Sequence, residues 1–421
     1  MSILSNVLIV LRGSLAALAI SFATLPLLAR LYTPEAFGRY QIFMSVLSFL
    51  ILSASLRYEV PILTADSDSR AFSLAKLCLL INVATAAATL AACGALHFLA
   101  PDVVAKLGAT LWLLPAALLA GGVFQTATYL LLRSHALQES AAAKAVQALG
   151  YSAIASGLGW LRVTSLGLVL ADVAARVLAV GFVLHRMVRK DDRYRLWRKP
   201  EHSYRPLLAR YRDYPLVSLP GSLLNNLGGT LTPLLMFGLF GAATAGQYAL
   251  VERCLAMPIA VIAQAVSQAY LTSFSASLRS SPMDAADLFR KVLATLLKVG
   301  AVPAILIMIF GREIFELVFG ETWSMAGRFS QSMAPMLLAA FLVGPVDMSL
   351  QMMNKQRLNF LWHLLRLILV AGCWAAVAAY QLSAVSAIQI YAGVSIVAYL
   401  TLLFLIHRNV MGNMSLGSAT R

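Results

Sequence analysis

Along this chain of 421 residues, apolar runs of membrane-spanning length follow one another with only short polar breaks. That succession restricts the fold more than any other feature. A run of about twenty residues crosses the ~30 Å hydrocarbon core as a helix, which satisfies its own backbone N–H and C=O groups. Barrel strands would be short segments of alternating polarity, and these runs are too long and continuous for that. Charged residues make up 12% of the chain, about half the ~25% of a soluble globular protein. The expectation is an all-α polytopic membrane protein with spans near 6–30, 38–63, 72–98, 111–132, 143–160, 165–186, 214–240, 247–273, 290–310, 329–353, 359–380 and 386–407. The first segment reads as a retained helix, because Arg12 interrupts its apolar core and no small-residue cleavage site follows.

Residues 12–40 recur without a gap at 220–248. Gly13/Gly221, Ser14/Ser222, Leu15/Leu223, Thr24/Thr232, Leu27/Leu235, Leu31/Leu239, Gly38/Gly246 and Tyr40/Tyr248 are identical. Bulk hydrophobicity would not align glycines and a tyrosine. Each copy reads as one span, a turn and the start of the next span. Six spans precede the second copy, so both enter the membrane in the same direction, as parallel repeats about an axis along the membrane normal. The expected organisation is two pseudo-symmetric six-helix lobes around a central cavity. The N-terminal lobe covers 1–187, a basic cytoplasmic linker 188–213, and the C-terminal lobe 214–421.

The net charge of +15 is distributed by side. Counted with the first span starting inside, only Arg30, Arg39, Lys106, Arg162, Arg312 and Arg328 fall in the outer connections, which places both termini in the cytoplasm. The stretch RMVRKDDRYRLWRKPEHSYRPLLARYR suits anionic lipid headgroups better than nucleic acid. Outside, GREIFELVFGETWSMAGRF is too polar to span and reads as a short interfacial helix, with an ordinary loop as the alternative. Cys78, Cys93, Cys254 and Cys373 lie within apolar runs, as small core residues without metal spacing. The six histidines are scattered. No catalytic constellation, no metal site and no phosphate-binding loop is expected.

Charges at bilayer depth cost at least ~2.5–3.5 kcal/mol and usually face protein or water. Helical spacing shows which polar residues share a face. In the second span these are Gln41, Ser45, Ser48, Ser55 and Glu59; in the seventh, Ser218, Ser222, Asn225, Gly229 and Thr232. Ser14, Ala17, Ser21 and Thr24 form the repeat-mate in the first span. Arg253 stands in the eighth span where the second has Ser45. Such stripes serve close helix packing or a wet cavity, and their recurrence in repeat-equivalent helices favours the cavity. Arg12 and Arg57 fall roughly opposite the stripes of their helices. Asp172 and Arg176, four apart, are expected to form a structural pair. Asp347, Gln351 and Asn354 form a short polar face; Asp347 and Glu59 are the candidate carboxylates for proton or Na+ coupling. Glu252 reads as a neighbour of Arg253, pointing elsewhere.

ARLYTPEAFGRY after the first span, LRYE closing the second, GQYALVERCLAMP opening the eighth and VFGETW before the tenth are similar to the polysaccharide biosynthesis proteins. These are the Wzx-type lipid-linked oligosaccharide flippases of the multidrug/oligosaccharidyl-lipid/polysaccharide exporter superfamily. The most specific element is Tyr32-x-Pro34-Glu35-x-x-Gly38-x-Tyr40. The resemblance implies two six-helix lobes and a cationic cavity. It also implies movement of undecaprenyl-diphosphate-linked oligosaccharide across the bacterial inner membrane by alternating access, for O-antigen or exopolysaccharide biosynthesis. Arg253, Arg57 and Arg12 are then the counterparts of the family's diphosphate-binding arginines. Asn225, Ser222, Gln41 and Ser48 would line the cavity. Other polysaccharide assembly proteins are the expected partners, and no cofactor is expected. The alternatives are a multidrug/cation antiporter of the same superfamily, which should bury more carboxylate than arginine, and a membrane glycosyltransferase or polymerase, which should carry a large external loop.

Overall fold

The computed structural model describes residues 3–101, 104, 108–134, 136–188, 203–280, 282–353 and 355–418. Among them the chain forms α1 (Ile3–Leu31), α2 (Pro34–Ser53), α3 (Asp68–Leu99), α4 (Leu114–Arg133), α5 (Leu137–Trp160), α6 (Ser165–Val188) and the short α7 (Tyr204–Arg210). After these come α8 (Leu219–Val251), α9 (Met257–Ser280), α10 (Pro282–Phe319), α11 (Ser324–Val343), the four-residue α12 (Ser349–Met352), α13 (Gln356–Ala379) and α14 (Ala384–Ser418). No strand occurs among the described residues. Nine stretches of these helices are long and apolar enough to cross a membrane, and one of them, Asn226–Leu278, runs through both α8 and α9. The protein is an all-α polytopic membrane protein.

By packing, the chain divides into two compact units, Met1–Gly246 and Gln247–Arg421. This boundary groups most of α8 with the first unit. Most of the basic linker at 188–213 lies outside the described residues. In the first unit α1 packs on α5, α5 on α6, and α3 on α4. One core cluster gathers Tyr58, Ile62, Leu74, Cys78, Val183 and Leu207. In the second unit α10 packs on α11, and α11 and α13 pack on α14. Its core includes Phe274, Phe289, Leu350 and Trp362. Helix α10 buries only 6% of its apolar window and leaves Val299 and Val302 more than 60% exposed. Such a surface is stable against lipid tails, which are as apolar as the side chains.

Several boundaries differ from the sequence reading: α11 stops at Val343 within the expected span 329–353, and α8 continues across a kink at Gly241 to Val251, past the expected break after residue 240. Helix α2 stops at Ser53, ten residues before the expected end of the span, and the chain continues through tight turns at 54–59 into the 3-10 turn Val60–Ile62. Helix α10 runs without a break to Phe319, so Ile314 and Leu317 belong to its last turns rather than to a separate interfacial helix or a loop. It ends where Gly320 takes φ +102, a conformation that glycine reaches without strain. Helical periodicity predicts direction well but contains no stop signal of its own.

Candidate functional site

The resemblance-bearing turn has a structural reason at each position. Tyr32 Oη donates to the Ala155 carbonyl at 2.7 Å and fixes the end of α1 on α5. Burial pushes this phenol up to about 12, so it remains a donor at any physiological pH. Thr33 caps α2 by accepting from the Ala36 N–H, and Pro34 occupies the first turn, where its missing N–H costs nothing. Glu35 favours the positive helix start and takes Arg39 at 2.8 Å. Tyr40 stacks on Tyr151, ring centres 5.9 Å apart. The second copy repeats the turn differently. Gly241 stands where Thr33 stands in the first, and breaks α8 with φ +83.

Gly38 and Gly246, identical in the two repeat copies, meet each other. A Cβ on Gly38 would lie 1.8 Å from the Ala242 carbonyl oxygen, and one on Gly246 would lie 1.7 Å from that of Pro34. Ala242 is itself the repeat partner of Pro34, so the crossing is reciprocal. Further along the same pair of helices, Asn226 Nδ2 donates to Ser48 Oγ at 2.9 Å. Ser48 in turn donates to the Ser45 carbonyl at 2.7 Å. Gln41 is half-buried and Ser45 is buried. Ser222 is half-buried and donates to the Ser218 carbonyl at 2.8 Å. Thr24 packs away from this face, on Ser152 at 3.0 Å. The side chains of Arg12 and Asn225 lie outside the described residues. The sequence reading missed Asn226: its neighbour Asn225 fits the stripe better, and one residue is 100° of rotation on a helix.

Beyond α2 the chain forms a buried polar nest. Glu59, 1% exposed, accepts from Ser55 Oγ at 2.5 Å and from Gln125 Nε2 of α4 at 3.0 Å. Arg57 Nη1 lies 3.8 Å from the Glu59 carboxylate. Leu56 and Arg57 both have positive φ, +51 and +66, a conformation costing about 1–3 kcal/mol for each non-glycine residue. On an ideal helix residues 57 and 59 point about 200° apart, which is why the sequence set them on opposite faces. The left-handed turn brings them together instead. Gln125, the second donor to Glu59, carries no sequence signal for this role.

Arg176 grips Asp172 with two bonds, of 2.7 and 3.3 Å, and both side chains are nearly buried. In the second unit, Arg253 is half-buried on a five-residue π-helical turn, Glu252–Ala256. Glu252 accepts from Tyr248 Oη at 3.1 Å, an interaction missed by the expectation that it was a mere neighbour. Asp347 follows the 3-10 turn Gly344–Val346, within electrostatic reach of His363 and Arg366. Its Oδ1 is buried without a hydrogen-bond partner. Arg366 itself is held by Tyr399 Oη at 3.0 Å and lies over the Trp362 and Tyr399 rings. Asn354 lies outside the described residues. Among the described residues no group of three or more His, Cys, Asp or Glu could hold a metal ion.

This architecture recurs in solved structures. An inward-facing multidrug resistance MATE family transporter of the MOP superfamily superposes with TM-score 0.68 at 13% identity, covering 94% of this chain and 98% of its own. The lipid II flippase MurJ in an inward closed conformation gives 0.69 at 10% identity, covering 97% and 90%. A MOP superfamily transporter from Pyrococcus furiosus gives 0.56 at 12%, covering 96% and 94%. The class is therefore set: the chain has the fold of the MOP-superfamily transporters. No curated protein sequence matches it. Residues 27–327 match the family described as polysaccharide biosynthesis protein, and the chain belongs to that family.

Proposed function

We propose that this protein is a flippase that carries a polyprenyl-diphosphate-linked oligosaccharide, in the undecaprenyl form, across the bacterial inner membrane for O-antigen or exopolysaccharide synthesis. The observation that carries the reading is the combination of polysaccharide-biosynthesis family membership with a MOP transporter fold over nearly the whole chain. A glycan and a diphosphate cannot cross hydrocarbon unaided. Hydroxyl and amide groups on the facing sides of α2 and α8, such as Ser48 and Asn226, offer sugars replacement hydrogen bonds. Arginines supply charge-assisted bonds to the diphosphate, and the polyprenyl tail stays in lipid. Alternating access moves the load. We assign both termini to the cytoplasm, anionic lipid to the basic linker, and polysaccharide assembly proteins to the partner role.

For proton or Na+ coupling, Asp347 is a better candidate than Glu59. Both Glu59 oxygens already accept hydrogen bonds, whereas one Asp347 oxygen is buried without one. The test is deletion of the gene in its host. Surface glycan should be lost while lipid-linked oligosaccharide accumulates on the cytoplasmic leaflet. Arg253→Ala should reproduce the loss at normal protein level. Intact glycan in the deletion strain, with new sensitivity to cationic drugs, would instead identify a multidrug antiporter, the reading that the MATE likeness favours.

A further inference from the structure

In the second unit, the start of α13 and the end of α14 share one open pocket of about 560 Å3, within the ~300–1,000 Å3 of small-molecule sites. Lys355, Gln356, Arg357, Leu358, Leu361 and Asn409 line it. Both helices are long and apolar enough to cross a membrane, so the pocket lies at the end of two spans, where hydrocarbon gives way to water. Just inside it, α13 exposes Phe360, Leu361, Leu364, Leu365 and Ile368, and α14 exposes Leu400 and Phe404. In a bilayer such surfaces meet acyl chains.

The charge of the pocket is one-sided. Lys355 and Arg357 are exposed, and among the described residues neither has an ion-pair partner. Arg290, which reaches Met411 of α14, has Asp287 at 3.8 Å; the two pocket cations have no such counterpart. No side chain caps the start of α13, so the helix adds its partial positive charge and its first N–H groups to the same place. Asn409 donates Nδ2 to the Leu405 carbonyl at 2.8 Å and brings no countercharge. A lone lysine or arginine at the end of a span ordinarily snorkels into water. Here two cations and a helix start share one cavity with an apolar inner wall, and an anion with a hydrocarbon tail completes that arrangement.

We propose that this pocket binds an anionic phospholipid, whose phosphate lies among Lys355, Arg357 and the first turn of α13 and whose acyl chain runs over Leu361. Basic pockets between membrane helices take anionic head groups in this way. The lipid is a resident that fastens α13 to α14, distinct from any cargo, so the inference stands apart from the flippase reading.

The experiment places the purified full-length protein in phosphatidylcholine vesicles with a trace of phosphatidylglycerol carrying a photoreactive acyl chain. After illumination, peptide mapping should find label at residues 358–361, and a photoreactive phosphatidylcholine should label them about fivefold less or weaker still. Competition with unlabelled phosphatidylglycerol gives an apparent affinity. Lys355→Gln and Arg357→Gln should each weaken it about fivefold, and together about thirtyfold. Lys291→Gln combined with Lys298→Gln removes the same charge from exposed positions of α10 outside the pocket, and should change the affinity less than about twofold. Melting curves verify that each variant is folded. Equal labelling by the two lipids, or labelling unchanged in the double variant Lys355→Gln, Arg357→Gln, overturns the inference. Full displacement of the label by millimolar inorganic phosphate also overturns it, by showing a site for a free anion.

Discussion

Arg133 closes the turn between α2 and α3 with one side chain. Its Nη1 donates to the carbonyls of Ile62 and Ala65, each at 2.9 Å, and Nε and Nη2 reach Asp68 at 3.1 and 3.0 Å. Asp66, two residues before Asp68, receives Arg70 and Arg210, so α7 is tied to the same turn. Replacing Arg133 with Met removes the donor shared by the Ile62, Leu63 and Ala65 carbonyls and one ion-pair partner of Asp68. The expected loss is about 1.5–3 kcal/mol, read as a lower midpoint in detergent unfolding with no change in helix content. A midpoint within error of wild type would remove Arg133 from the account of the turn. The Ser48–Asn226 bond is a finer case. Hydrogen bonds between membrane helices couple by roughly 0.6–1.7 kcal/mol, and a double-mutant cycle with Ser48→Ala and Asn226→Leu should return a value in that range.

Among the elements, the crossing of α2 and α8 depends on the absence of two β-carbons. A methyl at Gly38 or Gly246 overlaps a carbonyl oxygen of the facing backbone, and backbone, unlike a side chain, has no rotamer by which to yield. Gly38→Ala or Gly246→Ala should therefore force the helices apart. Cysteines at Ser48 and Asn226 would report this: they should crosslink efficiently beside Gly38 and poorly beside Gly38→Ala. Equal yields would show that the crossing tolerates a β-carbon. The motif that carries the family resemblance has causes of the same kind: Tyr32, Pro34, Gly38 and Tyr40 shape and pack the turn.

For the whole molecule, the proposed coupling makes a different kind of prediction. Asp347→Asn removes a charge from an oxygen that has no protein donor. It should abolish the response of transport to a pH or Na+ gradient in proteoliposomes while substrate binding at equilibrium changes little. Transport that still follows the gradient would assign coupling elsewhere, with Glu252 and its Tyr248 bond as the next place to look.

The sequence by itself determined the class of this protein. Twenty-residue apolar runs have one low-energy state in a bilayer, and the gapless duplication aligned Gly38 with Gly246. Helical phase gave only expected polar stripes, and Ser55 and Glu59 of the first of them lie beyond the end of α2 at Ser53. Only the tertiary structure decided what happens where the period stops. It ended α2 at Ser53, turned Leu56 and Arg57 left-handed, and so placed Arg57 beside Glu59 when a helical projection had separated them. It also made Asn226 the partner of Ser48, and it seated Gly38 on Gly246. Those outcomes depend on which backbone approaches which across hundreds of residues, and local periodicity contains no record of that distance.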